Sequence, residues 1–342
     1  MIKKIVFFSL FLSFEAYAQT SFAPIVKQVM PSVVSVSTEM KAESDTDAQD
    51  VQDSLVFDND GHIALGAGFI ADEDGYVLTN RHVIEKSKEI KVTTFDGEVY
   101  EATLVGEDEV TDIALLKIEP QEPLNPAVLG DSDTVEVGDW ILAVGNPFGL
   151  SNTVTTGIVS AKSRNIDETP FDDYIQTDAP INEGNSGGAM FNMAGEVIGL
   201  NTLIFSKKGN NAGVGFAIPS NQIKRVYQAL KEKGGITHSA LAIELKETLL
   251  ENAKKALIVT ALKNEDWALK NDLRVGDIII SYNDTPVTTR QAFYVFISKL
   301  SPETELTFKI YRDGEMTELL VETTELKTSR ATEFSEAVNG AD

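Results

Sequence analysis

Apolar and polar positions alternate in short runs along most of this chain. After residue 62, stretches such as GAGFIADEDGYVLTN, IKVTTFDGEVYEATLVGEDEV, DIALLKI, DWILAVGNP, TVTTGIVSAK, GEVIGLNTLIF and GVGFAIP are rich in β-branched and aliphatic residues, and Asp-Gly or Gly-Asn pairs separate them. Period-two alternation predicts strands, and many short strands with frequent turn signals point to an all-β barrel or sandwich. Two segments read differently. FAPIVKQVMPSVVSV (22–36) predicts a short amphipathic helix broken at Pro31 and followed by a β-branched strand, and Ser220 to Lys233 predicts a helix bracketed by Pro219 and Gly234-Gly235. The second helix marks the end of the β block.

Residues 240–327 mix strands (ALIVTAL, DIIISYNDTPV, ELTFKIYRDG, TELLVETTEL) with helical patches at 264–271 and 289–299, enough for one small α+β domain. Between Thr38 and His62 the pattern collapses into an acidic, apolar-poor stretch, which reads as a mobile loop. Its Asp58-Asn59-Asp60-Gly61 end lacks the ordered spacing of a calcium loop, so a solvated loop is the better reading. Residues 328–342 are polar and read as a flexible tail. At the other end, Lys3 and Lys4 precede an apolar run from Ile5 to Phe14 and then Ala16-Tyr17-Ala18. That is the layout of a secretory signal peptide, 1–18, cleaved after Ala18; an uncleaved anchor is the alternative, but the run is half of the ~20 residues a helix needs to cross a bilayer.

Composition removes several chemistries. A formal charge of −24 with a pI near 4.5 argues against nucleic-acid binding. With no cysteine and three histidines there is no disulfide, no cysteine nucleophile and little scope for a transition metal, so neither metal nor cofactor is expected. Oxygen nucleophiles and carboxylates remain.

TDAPINEGNSGG (177–188) sets three glycines around one serine. The plain reading is a surface turn. The sharper one is a nucleophile, Ser186, on a tight loop whose Gly184 and Ser186 N–H groups converge as an oxyanion hole. Two partners fit it. His82 follows a strand in VLTNRHVIE, and Asp112 directly precedes the apolar strand of EVTDIALLKI, where a buried carboxylate needs either a histidine or turn N–H groups. His62 in the acidic loop and His238 between the domains read as surface or packing residues. The order His82, Asp112, Ser186 resembles that of two-barrel proteases of the chymotrypsin type, in which the histidine is the general base and the carboxylate fixes its tautomer.

GAGFIADEDGYVLTNRHVI, TDIALLKI, GNPFGL, TTGIVSA and TDAPINEGNSGGAMFN together resemble the HtrA family of exported serine proteases. The resemblance covers nearly the whole chain after the signal segment. It implies a chymotrypsin-like double β-barrel protease domain (19–235, containing the 38–62 loop) followed by a PDZ domain (240–327), a single one as in DegS-type rather than DegP-type chains. It further implies a periplasmic serine endopeptidase for unfolded or misfolded proteins in quality control or stress response, assembled as a homotrimer through the segment around Phe22. The alternatives are a regulatory protease with one dedicated substrate, a chaperone-like protein with a latent triad, and an inner-membrane anchored protein facing the periplasm. Where digestive relatives carry an aspartate before the serine, Asn185 stands here, so neighbouring loops such as 163–173 would have to order the oxyanion loop. Pro180 and Ile181, with Leu200, Asn201 and Thr202 opposite, imply a small apolar substrate pocket. In the PDZ-like domain, Leu241, Ala242 and Ile243 match the loop that captures peptide C-termini, with Ala242 where the family has glycine; an alanine tolerates positive φ poorly, so peptide capture and a purely regulatory or packing role both stay open.

Overall fold

The computed structural model describes residues 21–40, 56–57, 63–85, 87–145, 153–166, 169, 171–182, 184–204, 213–250 and 254–326. The expected signal segment 1–18, the Asp58–Gly61 run, His62 and the tail 328–342 lie outside the described residues.

The chain enters through helix α1 (Ala23–Val29), which buries Ile25 and Val29 and carries proline in its first turn, where a missing N–H costs nothing. A 3-10 turn at Met30–Ser32 contains Pro31, and strand β1 (Val33–Met40) follows. The first sheet adds β2 (Val56–Phe57), β3 (Ile63–Ile70), β4 (Tyr76–Asn80), β5 (Ser87–Thr93), β6 (Val99–Asp108) and β7 (Ile113–Lys117) in the order β1-β5-β6-β7-β4-β3-β2. Because β1 also pairs with β3, six long strands close into a barrel. This corrects one expectation: residues 38–40 belong to β1 and pair with β5, and Val56–Phe57 pairs with β3, so 38–62 is not a loop throughout. Ladder hydrogen bonds come from the backbone, so an acidic stretch joins a sheet wherever its edge is paired.

The second sheet comprises β8 (Val128–Leu129), β9 (Trp140–Gly145), β10 (Thr153–Arg164), β11 (Tyr174–Thr177), β12 (Ala189–Phe191), β13 (Glu196–Ile204) and β14 (Gly215–Pro219). It repeats the device: the order β12-β9-β10-β11-β14-β13-β8 closes through a β12–β13 pairing. Helix α3 (Ser220–Lys233) ends on Gly234 at φ +69, whose N–H returns to the Leu230 carbonyl. Phe69, Leu115 and Val33 from the first barrel, Leu142, Phe191 and Leu200 from the second, and Ile223, Val226 and Leu230 from α3 form one buried cluster. Each such side chain contributes about 1.5–3 kcal/mol. The barrels are therefore welded along the seam over which the candidate site lies.

The last domain is a five-strand sheet, β16 (Ile243–Leu249), β17 (Lys255–Leu262), β18 (Ile278–Tyr282), β20 (Glu305–Arg312) and β21 (Glu315–Glu322), with β19 (Thr285–Pro286) on β18. Two helices pack on it: α4 (Glu265–Lys270), capped by Asn264, and α5 (Arg290–Ser298), capped by Thr289. β15 (Ser239–Ala240) pairs with β22 (Thr324–Glu325), so the linker and the domain's last strand meet. Helix α5 touches the first domain directly. Gln291 donates to the Asp172 carbonyl (2.6 Å), Lys299 pairs with Asp173 (3.0 Å), and the Tyr294 ring meets Phe171 edge-on (6.5 Å).

Candidate active site

Helix α2 (Arg81–Ile84) is a single turn springing from β4, and it presents His82 over the barrel seam. The β6–β7 hairpin loop, 109–112, presents Asp112. The Asp112 carboxylate grips His82 twice: Oδ1 accepts the His82 backbone N–H (2.9 Å) and Oδ2 meets Nδ1 (2.6 Å). Two-point binding fixes both the ring's place and the nitrogen that carries the proton, leaving Nε2 to face outward as an acceptor. Asp112 itself sits at φ +55. Aspartate tolerates this left-handed conformation better than most residues, at about 1 kcal/mol.

Ser186 lies in the turn between β11 and β12. The Asn185 N–H donates to Asn182 O (3.0 Å), Gly187 N–H to Asn201 O (2.8 Å) and Gly188 N–H to Asn185 O (3.0 Å), while Ser186 O accepts from Ala67 N–H of β3 (2.9 Å). Gly184 (φ +89) and Gly187 (φ +84) are left-handed. At Gly187 a side chain would also overlap the Ala67 carbonyl and the Thr79 hydroxyl, so glycine is needed on two grounds. Among the described residues neither the Gly184 nor the Ser186 N–H has a hydrogen-bond partner. Two unpaired donors beside a serine are what an incoming oxyanion requires.

The Ser186 hydroxyl donates to the Thr202 carbonyl at 3.2 Å. One side chain absent from the sequence reading ties that carbonyl's residue to the dyad. Asn80, fully buried, donates to the Asp112 carbonyl (2.9 Å) and to Thr202 Oγ1 (3.1 Å), spanning the two barrels. Nothing in TNRHV singles Asn80 out, because both of its partners are remote in sequence.

The residues expected to line a pocket are placed unevenly. Pro180 is exposed, whereas Ile181 (packed on Gly215), Leu200 and Asn201 are buried, and Asn201 Nδ2 is spent on the Val144 and Ala189 carbonyls. Thr202 is buried too and contributes its carbonyl. Asn185, also buried, has a side-chain oxygen without a partner among the described residues.

In the last domain, Leu241 and Ile243 are buried, and the Ala242 carbonyl accepts from Lys263 N–H (2.8 Å). Ala242 does not lie in the left-handed region. The strain expected of an alanine there is therefore not imposed. β16 is an edge strand facing α5, and the Tyr294 hydroxyl from α5 reaches the Leu245 backbone across that space. Burial pushes the Tyr294 phenol up to about 12.

Residues 66–200 match the trypsin-like peptidase domain and residues 248–323 the PDZ domain. The probable periplasmic serine endoprotease DegP-like of Rickettsia conorii is 39% identical across 90% of this chain and 66% of its own length. The chain belongs to the DegP/HtrA family of serine endoproteases. Periplasmic serine endoprotease DegP of Escherichia coli K12 is 36% identical over 90% of the chain and 73% of its own length. Among solved structures, the HtrA-type protease AlgW with tripeptide superposes with a TM-score of 0.78 at 33% identity, covering 90% of this chain and 98% of that one. The chain thus spans about two thirds of the length of its curated HtrA relatives, and little over half, 54%, of a Chlamydia trachomatis one. The HtrA frame bears out the two-barrel fold followed by a PDZ domain that the family resemblance implies.

Proposed function

We propose that this chain is an exported serine endopeptidase that cleaves unfolded or misfolded proteins in the periplasm. The observation that carries the reading is the two-point grip of Asp112 on His82 in the first barrel, on which a serine loop with two unpaired N–H groups is docked through the Ala67 N–H to Ser186 O bond. In the reaction, the Ser186 hydroxyl turns from Thr202 O to His82 Nε2, gives up its proton there and attacks the substrate carbonyl. Asp112 stabilises the imidazolium that forms, and the Gly184 and Ser186 N–H groups bind the tetrahedral oxygen. The imidazolium then protonates the leaving amine, and water, deprotonated by the same histidine, releases the acyl group from Ser186. Signal cleavage after Ala18 and a homotrimer built through Phe22 complete the proposal; the Phe22 ring meets Trp140 at 5.7 Å, tilted by 51°, and Trp140 is 53% exposed and free to meet a second copy.

A second reading, a latent triad in a binding protein, draws on the bond from the Ser186 hydroxyl to Thr202 O, which holds the nucleophile away from its base. Casein turnover that disappears in Ser186→Ala is expected. Equal casein protection from aggregation by both forms, with no turnover by either, would favour the binding protein.

A further inference from the structure

His238 reads in sequence as a surface or packing residue, yet it is 2% exposed and lies against a carboxylate 130 positions away. Its Nε2 meets both oxygens of Asp108, at 2.9 and 2.8 Å. Asp108, 4% exposed, closes strand β6, and its paired neighbour Ile113 opens β7. Between them lies the four-residue loop that ends in Asp112. The Asp108 carboxylate also accepts the Val110 N–H (3.3 Å) and the Thr111 hydroxyl (2.5 Å), so it braces this loop from inside. A carboxylate removed from water this thoroughly is tolerable only when its oxygens are fully bonded, and His238 supplies the contacts that the loop cannot.

The other end of His238 is anchored in the second domain. Its carbonyl accepts the Leu326 N–H (2.8 Å), and the next two residues form β15. Arg225 of α3 lies close enough to Asp108 for their charges to interact, and its guanidinium donates to the Ser298 carbonyl at the end of α5 (3.1 Å). The loop needs such a brace because Asp112 adopts φ +55, a conformation that a free hairpin would leave.

We propose that Asp108 and His238 form a buried pin that positions Asp112 and so holds the alignment of the His82–Asp112 pair. The proposal rests on the catalytic reading of Asp112. Both residues act through Asp112 and touch no substrate, so they are positioning residues. A displacement of the catalytic pair by about 1 Å costs on the order of 10²-fold in rate without weakening substrate binding, which gives the pin a kinetic signature.

The test uses the full chain, a fluorogenic peptide, and the low-field proton resonance of the His82 Nδ1–H bonded to Asp112. In His238→Ala, kcat is expected to fall by about 10- to 100-fold with KM within about twofold, and the low-field resonance to shift or vanish. His238→Gln, whose amide can still donate to Asp108, should recover most of the rate. Asp108→Asn combined with His238→Ala should be no slower than His238→Ala alone, since the two act as one unit. Should His238→Ala fail to fold, Thr111→Val removes one bond to the same carboxylate at nearly constant volume and is expected to show the same signature. A variant that melts lower but keeps kcat and the resonance of the parent would overturn the proposal and leave the pair a packing feature. Peptide cleavage that survives Ser186→Ala would instead remove the triad reading, and the resonance would still judge whether the pin positions Asp112.

Discussion

Substituting Gly187 by alanine separates close approach from backbone freedom. The left-handed conformation at φ +84 costs a non-glycine residue about 1–2 kcal/mol. The added methyl would also overlap the Ala67 carbonyl and the Thr79 hydroxyl, themselves joined by a 2.7 Å hydrogen bond inside the first barrel. Neither can retreat, so the turn must lift off. Lifting stretches the bonds from Ala67 N–H to Ser186 O and from Gly187 N–H to Asn201 O, worth about 1 kcal/mol each. The total, about 3–4 kcal/mol, lies within what a domain can lose and still fold, but a shift of about 1 Å at Ser186 should reduce peptide turnover on the order of 10²-fold. Gly97 is the control, because it has φ +91 and nothing within 4 Å of a built Cβ. Gly97→Ala should lose only the conformational term, about 1–2 kcal/mol, and keep full activity. Urea unfolding and a fluorogenic assay on both variants read the two numbers. If Gly187→Ala behaves like Gly97→Ala in both, the close-approach argument is wrong.

Asp112→Asn should fold normally yet lower kcat by about 10⁴-fold, because an amide favours the wrong imidazole tautomer; activity within tenfold of the parent would remove Asp112 from the triad. A cleavage-site map by mass spectrometry is expected to show Val, Ala, Ile or Leu before the scissile bond, and dominance of Lys or Arg would refute the apolar pocket. Ala242→Gly should change the affinity for peptides with a free apolar C-terminus by less than about threefold in calorimetry, since no left-handed strain is there to be relieved; a large gain would show that the peptide-bound loop demands a conformation that the free loop lacks. N-terminal sequencing of the exported protein should begin at Gln19, and an intact Met1 in membranes would favour the anchored form.

Local chemistry made much of the fold readable. DIALLKI announces β7 because a strand buried on both faces needs an unbroken apolar run, and Pro219 with Gly234 brackets α3 because the proline ring disfavours helix in the residue before it while glycine enters the left-handed cap conformation without a Cβ penalty. The pairing of His82 with Asp112, and Ser186 as a candidate nucleophile, were legible because their order and local settings carry a chemical logic. Asn80 and the Asp108–His238 pair were not, since their meaning lies in partners 32 to 130 positions away, which no local pattern encodes. Leu200 and Asn201 show the same limit: adjacent strand residues point to opposite faces, and both are buried because β13 is covered on each side, Leu200 in the apolar cluster and Asn201 against the Val144 and Ala189 carbonyls. At Ala242 the sequence could raise the question of strain but not answer it, because a residue type without its φ says nothing about strain.

Both barrels close on themselves, β1 to β3 and β12 to β13, and this closure governs how the molecule fares among the substrates proposed for it. Unfolded chains are collections of unpaired strands, and any open sheet offers them a template on which to grow. Six strands wound into each closed ring leave only the two-residue β2 and β8 at an edge, so a denatured polypeptide crowding the catalytic half finds no long row of vacant amides to copy. In the second domain the sheet does not close, and β16 and β21 are its two edges. Resistance to templated aggregation is thus built into the topology of the catalytic half, and the long strand edges that remain belong to the sheet that does not close.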